Sequence, residues 1–442
     1  MAVRVWLRNV VPHHDAGRVT TSITLPTTSK PKETNEAVNG SYYPRWKSSN
    51  GIPLHPVATY IEHLLEERQN LFVQQDHTSF LFPETPYIVD AKGVSSSKSI
   101  VWGRVFRIQR EDRWVPSHRL FNKAWNILQQ AEQGHRWATL RKVVFEEGGF
   151  PFVVWFGDNL KCNVNNWQLP DGKNTSVSLP IFTTCALAAS AHCDYSFPFP
   201  TYKVFRDAKN TTQQWYDHAA VQTAEYPWES KIRQVVWRGS LYWKAYETTV
   251  TSTRYHLLRR VTELHNVQGE NNTLFDVQAT AVENEQVANR TDLIGNITYA
   301  CDFREFQKFV AVLDVDGLSW SSRFASLLCH NSVVLKVEPE FVDYFHYDVQ
   351  PWKHYIPVRS DLSNLDEIAA YVTDPRNDDT IREIIRTANG YCHTHMLESK
   401  IAEDMLDIWE AYVDGLYKND QNWTKKWQTV KSGIEDKMNL LL

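Results

Sequence analysis

Residues 309–337 constrain the fold of this chain more than any other stretch. Phe309-Val310-Ala311-Val312-Leu313 is an apolar run of strand character, Asp314-Val315-Asp316-Gly317 interrupts it, and Ser319, Ser321 and Ser322 are residue types that cap helices. The spacing predicts a helix from there to His330-Asn331, then a second β-rich run from Ser332 to Val337. A strand, turn, helix, strand unit closes by a right-handed crossover, so its two strands run parallel and the helix N-terminus sits at the carboxyl edge of the sheet. Anionic groups are held at such an edge by free backbone N–H groups and the helix dipole.

Several residues are placed to use that edge. Arg323 falls one turn into the expected helix, where its guanidinium can fork onto a pyrophosphate that the N–H groups of Gly317 to Ser321 also reach. Arg238 stands at the end of the strand Gln234–Trp237, followed by Gly239, which admits close backbone approach, and Ser240, a hydroxyl donor. Glu338, just past the second strand, is placed to accept ribose hydroxyls. Asp158 follows the apolar run Phe152–Phe156 at a strand's carboxyl end, and Asp194 lies in the turn-rich His192-Cys193-Asp194-Tyr195. On residue type alone each also reads as a turn, a cap, a bulge or a solvated surface group. Asp314 and Asp316 form an Asp-Xaa-Asp after a strand, which suits either a turn or a divalent ion on a diphosphate.

The 442 residues, 42% of them hydrophobic, suffice for two domains with sizeable cores, and a net charge of -5 gives no basis for nucleic-acid binding. The chain has no run of about 18 uncharged apolar residues, and Met1–His14 lacks the uninterrupted apolar core of a signal peptide. Asn-Xaa-Ser/Thr sequons at Asn39, Asn174, Asn210, Asn271, Asn289, Asn296 and Asn422 exceed the about three expected by chance. They lean toward a secretory lumen. The six cysteines fit a lumenal protein, although Cys329, inside the expected helix, reads as a buried small apolar residue rather than half of a bridge. The sequence shows no zinc pattern.

Residues 1–50 are rich in Thr, Ser, Pro and Lys and read as a polar stem or arm. Residues 51–226 begin with amphipathic patterns at His55–Gln74 and Ser117–Gln133 and continue as strand-like runs from Pro151. Residues 227–390 carry the strand at Gln234, a helical pattern at Thr251–Asn266, the 309–337 unit, the aromatic segment Pro351–Tyr355 before the strand Ile356–Val358, and helices at Leu365–Thr373 and Thr380–Asn389. Residues 391–442 close the chain with a helix at Glu398–Tyr417. Strands alternating with helices argue for an α/β protein with two Rossmann-like domains facing a cleft and extra helices at both ends.

The order of these blocks resembles glycosyltransferase family 90, the fungal capsule-associated and protein O-glucosyltransferase-like group. The matching stretches are Asp314–Phe324 with Pro351–Val358, Val235–Ser240 (VVWRGS), Val153–Asp158 (VVWFGD) and Asp361-Leu362-Ser363. Leu241-Tyr242-Trp243 departs from the arginine and threonine usual after the serine. The resemblance implies a fold of the two-Rossmann-domain (GT-B) type and inverting transfer of glucose or xylose from a UDP-sugar to a hydroxyl of a glycan or protein. Residues 51–226 would form the acceptor-side, catalytic domain and residues 227–390 the nucleotide-sugar-binding domain. Asp158 would then be the base, and Arg238, Gly239, Ser240, Gly317, Ser319, Ser322, Arg323 and Glu338 the donor site. The implied enzyme needs no metal or other cofactor and meets a membrane only through an anchor not visible in this chain. A glycan-binding, inactive relative and a metal-dependent transferase using Asp314 and Asp316 are the alternatives.

Overall fold

The computed structural model describes residues 87–90, 93–95, 103–105, 120, 123–131, 136–146, 153–154, 181–187, 196–200, 202–241, 252–268, 274–282, 288–298, 302–317, 319–346 and 348–419. Asp158, Asp194, the polar stretch 1–50 and the His55–Gln74 pattern lie outside them.

Five strands form the principal sheet: β1 (Ile232–Leu241), β2 (Phe275–Val282), β3 (Phe309–Asp314), β4 (Val333–Val337) and β5 (Ile356–Val358). Every pairing is parallel and the order is β5-β4-β3-β1-β2. The expected parallel unit is therefore present, with Asp314 in register with Lys336. β4 is buried along its whole length and β3 at all but its first residue, as continuous apolar strands of a parallel sheet must be when both faces are covered.

Among the helices, α1 (Thr212–Glu225) starts at a capping box in which Thr211 and Gln214 satisfy each other's backbone N–H. α2 (Thr253–Gln268) packs on β2, α3 (Leu365–Thr373) on β1 and β3, and α4 (Asp378–His395) on β4 and α1. α4 runs six residues beyond its predicted end at Asn389, and a buried stripe of Ile381, Ile384, Ile385, Ala388, Tyr391 and Cys392 explains the extension. α5 (Glu398–Asn419) crosses to the N-terminal half. There its Glu410 accepts the N–H groups of Thr139 (3.0 Å) and Leu140 (2.6 Å), capping the helix Ala138–Phe145 from outside.

The N-terminal half contributes a second parallel sheet, with Ile181–Thr183 between Val153–Val154 and Ser196–Pro198, and an antiparallel one of Tyr87–Asp90, Gly93–Ser95 and Gly103–Val105. Ala186–Leu187 pairs with Phe341–Val342 and ties the two halves together.

Three further expectations change. β1 continues past Trp237 to Leu241, because Arg238–Leu241 pair with β2, so Arg238–Ser240 lie within the strand rather than past its end. The helix after Gly317 is a single turn, Phe324–Leu327, with Arg323 as its N-cap, because Ser321 spends its N–H and hydroxyl on Asp316 and Asp314 instead of opening a helix. Cys329 is bonded to Cys392, 63 residues away, because α4 packs across the end of that turn. Among the described residues no helix is long and apolar enough to cross a membrane.

Candidate functional site

β1 and β3 are adjacent, yet the chain leaves them on opposite sides, β1 toward β2 and β3 toward β4. This is the topological switch point of a doubly wound sheet, where ligands bind beyond the carboxyl ends of the strands. The segments singled out above, Arg238–Ser240 and Asp314–Arg323, flank it.

Lys336 is the electrostatic centre of this edge. Its ammonium donates to Asp314 Oδ2 (2.9 Å) and Asp316 Oδ1 (2.8 Å), with side-chain exposures of 2%, 0% and 18% for Lys336, Asp314 and Asp316. Asp314 also accepts the Ser321 hydroxyl, and Asp316 Oδ1 accepts the Ser321 N–H at 3.2 Å. Burial alone would push the Asp314 carboxyl up, but Lys336, Arg323 and the hydrogen bonds outweigh it and hold it below its usual range. Burial likewise works against the Lys336 charge, and the two carboxylates raise its pKa above the usual lysine value. Both groups are charged in the folded protein.

Arg323 donates through Nη1 to the Arg238 carbonyl at 2.6 Å, while its Nη2 lies 3.9 Å from Asp314 Oδ1 with no hydrogen-bond partner. Arg238 itself forms a forked pair with Asp276 of β2 (2.7 and 2.8 Å) and donates to the Asp276 carbonyl at 2.7 Å. Its guanidinium thus ties β1 to β2. Gly239 is required by packing, since a Cβ there would stand 2.5 Å from the indole of buried Trp237. The Ser240 hydroxyl faces Thr280 Oγ1 at 3.5 Å.

In the signature loop the Gly317 N–H donates to the Ser319 carbonyl (3.1 Å), so neither that group nor the Ser321 N–H remains free. Ser319 is buried and hydrogen-bonded to the thiol of Cys185, which burial pushes up to about 12. Ser322 is partly exposed beside Arg323. Glu338 is exposed at the end of β4, and its Oε2 accepts the Ser360 N–H at 3.2 Å. His354 is buried, its Nδ1 accepting the Gln350 N–H at 2.9 Å.

Two site residues escaped the sequence reading. Arg254, at the start of α2, donates to the Ser240 carbonyl (2.9 Å) and the Val315 carbonyl (3.0 Å), so one guanidinium joins the carboxyl ends of β1 and β3. It also fills the space a Gly317 Cβ would enter, 3.2 Å from its Nη2. Lys336 was detectable in principle. A lysine within the apolar Val333-Val334-Leu335-Lys336-Val337 needs a buried counter-charge, and the neighbouring strand ends in Asp314. Arg238, Arg254, Arg323 and Lys336 gather with the carboxylates of Asp276, Asp314 and Asp316, one positive charge in excess among these seven side chains, with Glu338 exposed at the end of β4.

A parallel sheet with a cationic excess at its switch point is the architecture of proteins that bind phosphorylated ligands. Residues 150–435 match glycosyl transferase family 90, and the chain belongs to that family. It is similar to protein O-glucosyltransferase 2 of Danio rerio, 26% identical over 254 residues that cover 57% of this chain and 46% of that protein. Protein O-glucosyltransferase 1 of Mus musculus is 29% identical over 189 residues, covering 42% of each chain. Protein O-glucosyltransferase 3 of Rattus norvegicus is 25% identical over 262 residues, covering 54% of this chain and 46% of that one. The chain thus spans less than half the length of these curated relatives. The crystal structure of TarM aligns with 67% of this chain and 58% of its own, but at a TM-score of 0.33 and 11% identity it carries no argument.

Proposed function

We propose that this chain is an inverting glycosyltransferase that moves glucose or xylose from a UDP-sugar to a hydroxyl of a protein or glycan. Membership of glycosyl transferase family 90 over residues 150–435 carries the reading, and the similarity to protein O-glucosyltransferases favours a protein acceptor. The donor diphosphate lies at the β1/β3 switch point. Arg323, whose Nη2 has no hydrogen-bond partner, would hold it, with the Ser240 and Ser322 hydroxyls as further donors and Glu338 at the β4 edge for the ribose. Arg238 serves indirectly, by fixing the carbonyl that holds Arg323.

Asp158 is the base. It takes the acceptor proton as the acceptor oxygen bonds to the anomeric carbon and the bond from that carbon to the diphosphate oxygen breaks, releasing UDP. The enclosed positive charge offsets the charge developing on the leaving group. No metal is needed, because Lys336 already stands between the two carboxylates that would otherwise ligate one. The catalytic half lies at residues 51–226 and the donor half at 227–390 in a GT-B arrangement, within the secretory pathway.

A UDP-release assay of wild-type protein and Asp158→Asn against UDP-glucose and UDP-xylose, with EDTA and then with Mn²⁺, tests this. Release from one donor in EDTA, abolished by Asp158→Asn, is expected. Release only with Mn²⁺ would transfer the role to Asp314 and Asp316, and silence with every donor and acceptor would leave a glycan-binding protein.

A further inference from the structure

We infer that Lys336 is a positioning residue of the donor site, an internal counter-ion that fixes the 314–323 loop and keeps the negative charge of Asp314 and Asp316 from opposing the donor diphosphate. The inference rests on the reading that a UDP-sugar binds at the switch point.

One ammonium contacts one oxygen of each carboxylate, at 2.9 and 2.8 Å. Those carboxylates hold Ser321 through its hydroxyl and its N–H, two residues before Arg323. Arg323 in turn spans the Arg238 carbonyl of β1 and the Asp314 carboxylate of β3. Lys336 therefore sets the loop that carries Arg323, whose Nη2 has no hydrogen-bond partner. The remaining oxygen, Asp316 Oδ2, is buried and has no hydrogen-bond donor. With the lysine gone, Asp314 would keep Arg323 at 3.9 Å and Asp316 would lose the ion pair it makes here, and the seven charged side chains named above would pass from one excess positive charge to none. An anionic donor meets that change directly, and the aligned geometry of the loop is lost with it.

The rest of the surroundings do not replace this charge. His346 lies close enough to sense Lys336 and Asp314, but burial pushes its pKa down to about 4, so it is neutral. The Phe324 ring covers the ammonium at 5.2 Å and supplies no counter-charge of its own.

The test is UDP-glucose and UDP-xylose binding by calorimetry to wild type, Lys336→Met and Lys336→Met/Asp316→Asn, from neutral pH to about pH 5, where buried carboxylates regain protons. The diphosphate diester of these donors does not titrate in that interval. Wild type should bind one donor with little pH dependence. Lys336→Met should bind it about tenfold or more weakly at neutral pH, recover as the pH falls, and recover at neutral pH when Asp316→Asn removes the orphaned charge. Folding of each variant is checked by circular dichroism. Binding by Lys336→Met equal to wild type, or a loss that neither acid nor Asp316→Asn repairs, would overturn the inference while leaving the proposed donor standing. Failure of wild type to bind either sugar nucleotide would overturn both.

Discussion

Replacing Cys329 and Cys392 together by alanine should destabilise the chain by about 4 kcal/mol. The bridge closes a loop of 63 residues, from the turn after Phe324–Leu327 to the buried face of α4. Cross-linking a loop of that length removes about 14 cal/mol/K of entropy from the unfolded chain, hence about 4 kcal/mol at room temperature. Both positions are buried, at 2% and 0% exposure, and alanine leaves no unpaired polar group behind. With a urea dependence of about 3 kcal/mol per molar, the unfolding midpoint should fall by more than about 1 M. The assay is urea unfolding followed by tryptophan fluorescence, with and without reductant. In reductant, wild type and the double variant should superimpose, whereas without it wild type should be the more stable by the amount above. A wild-type midpoint unmoved by complete reduction would refute the entropic argument.

Gly239→Ala forces a Cβ against the Trp237 indole and should cost about 1–3 kcal/mol, read as a lower melting temperature; an unchanged melting temperature would show that the ring gives way. Lys231 is buried at the start of β1, and burial lowers its pKa to about 7, so the unfolded chain binds one more proton between there and the ordinary lysine value. Its stabilising contribution is thus complete above about pH 10.5 and is lost as the pH falls through about 7; the stability of wild type relative to Lys231→Met should rise across that window, and a pH-independent difference would contradict the assignment. Made through a secretory pathway, the chain should carry glycans on Asn289 and Asn296, which are exposed on either side of Thr291–Ile294, and mass spectrometry after enzymatic deglycosylation reads them. Two unmodified sites would count against secretory passage.

Legibility followed the range of the interactions. The strands of the 309–337 unit and helix α3 carry their own apolar periodicity and were readable from it, whereas the length of α4 depends on a stripe that is buried only once α4 meets β4 and α1. The expected helix at Ser319 fails because Ser321 bonds to Asp314 and Asp316, making a loop where Ser319, Ser321 and Ser322 suggested a cap. Arg238 and Arg323 were found by motif. The forked pair of Arg238 with Asp276, 38 residues on, was not legible, because it depends on β2 lying beside β1. Arg254 was missed for the same reason. The Cys329–Cys392 bridge was misread because a cysteine in an apolar setting looks alike whether or not a partner helix arrives beside it.

Calorimetric titration of wild type and Arg323→Ala with UDP tests the central claim, that a nucleotide diphosphate is held at the β1/β3 switch point by the signature loop. Binding by wild type, weakened by about 2 kcal/mol or more in Arg323→Ala, is the predicted result for loss of a charge-assisted contact in an enclosed site. Equal affinity of the two proteins would place the diphosphate elsewhere and contradict the account.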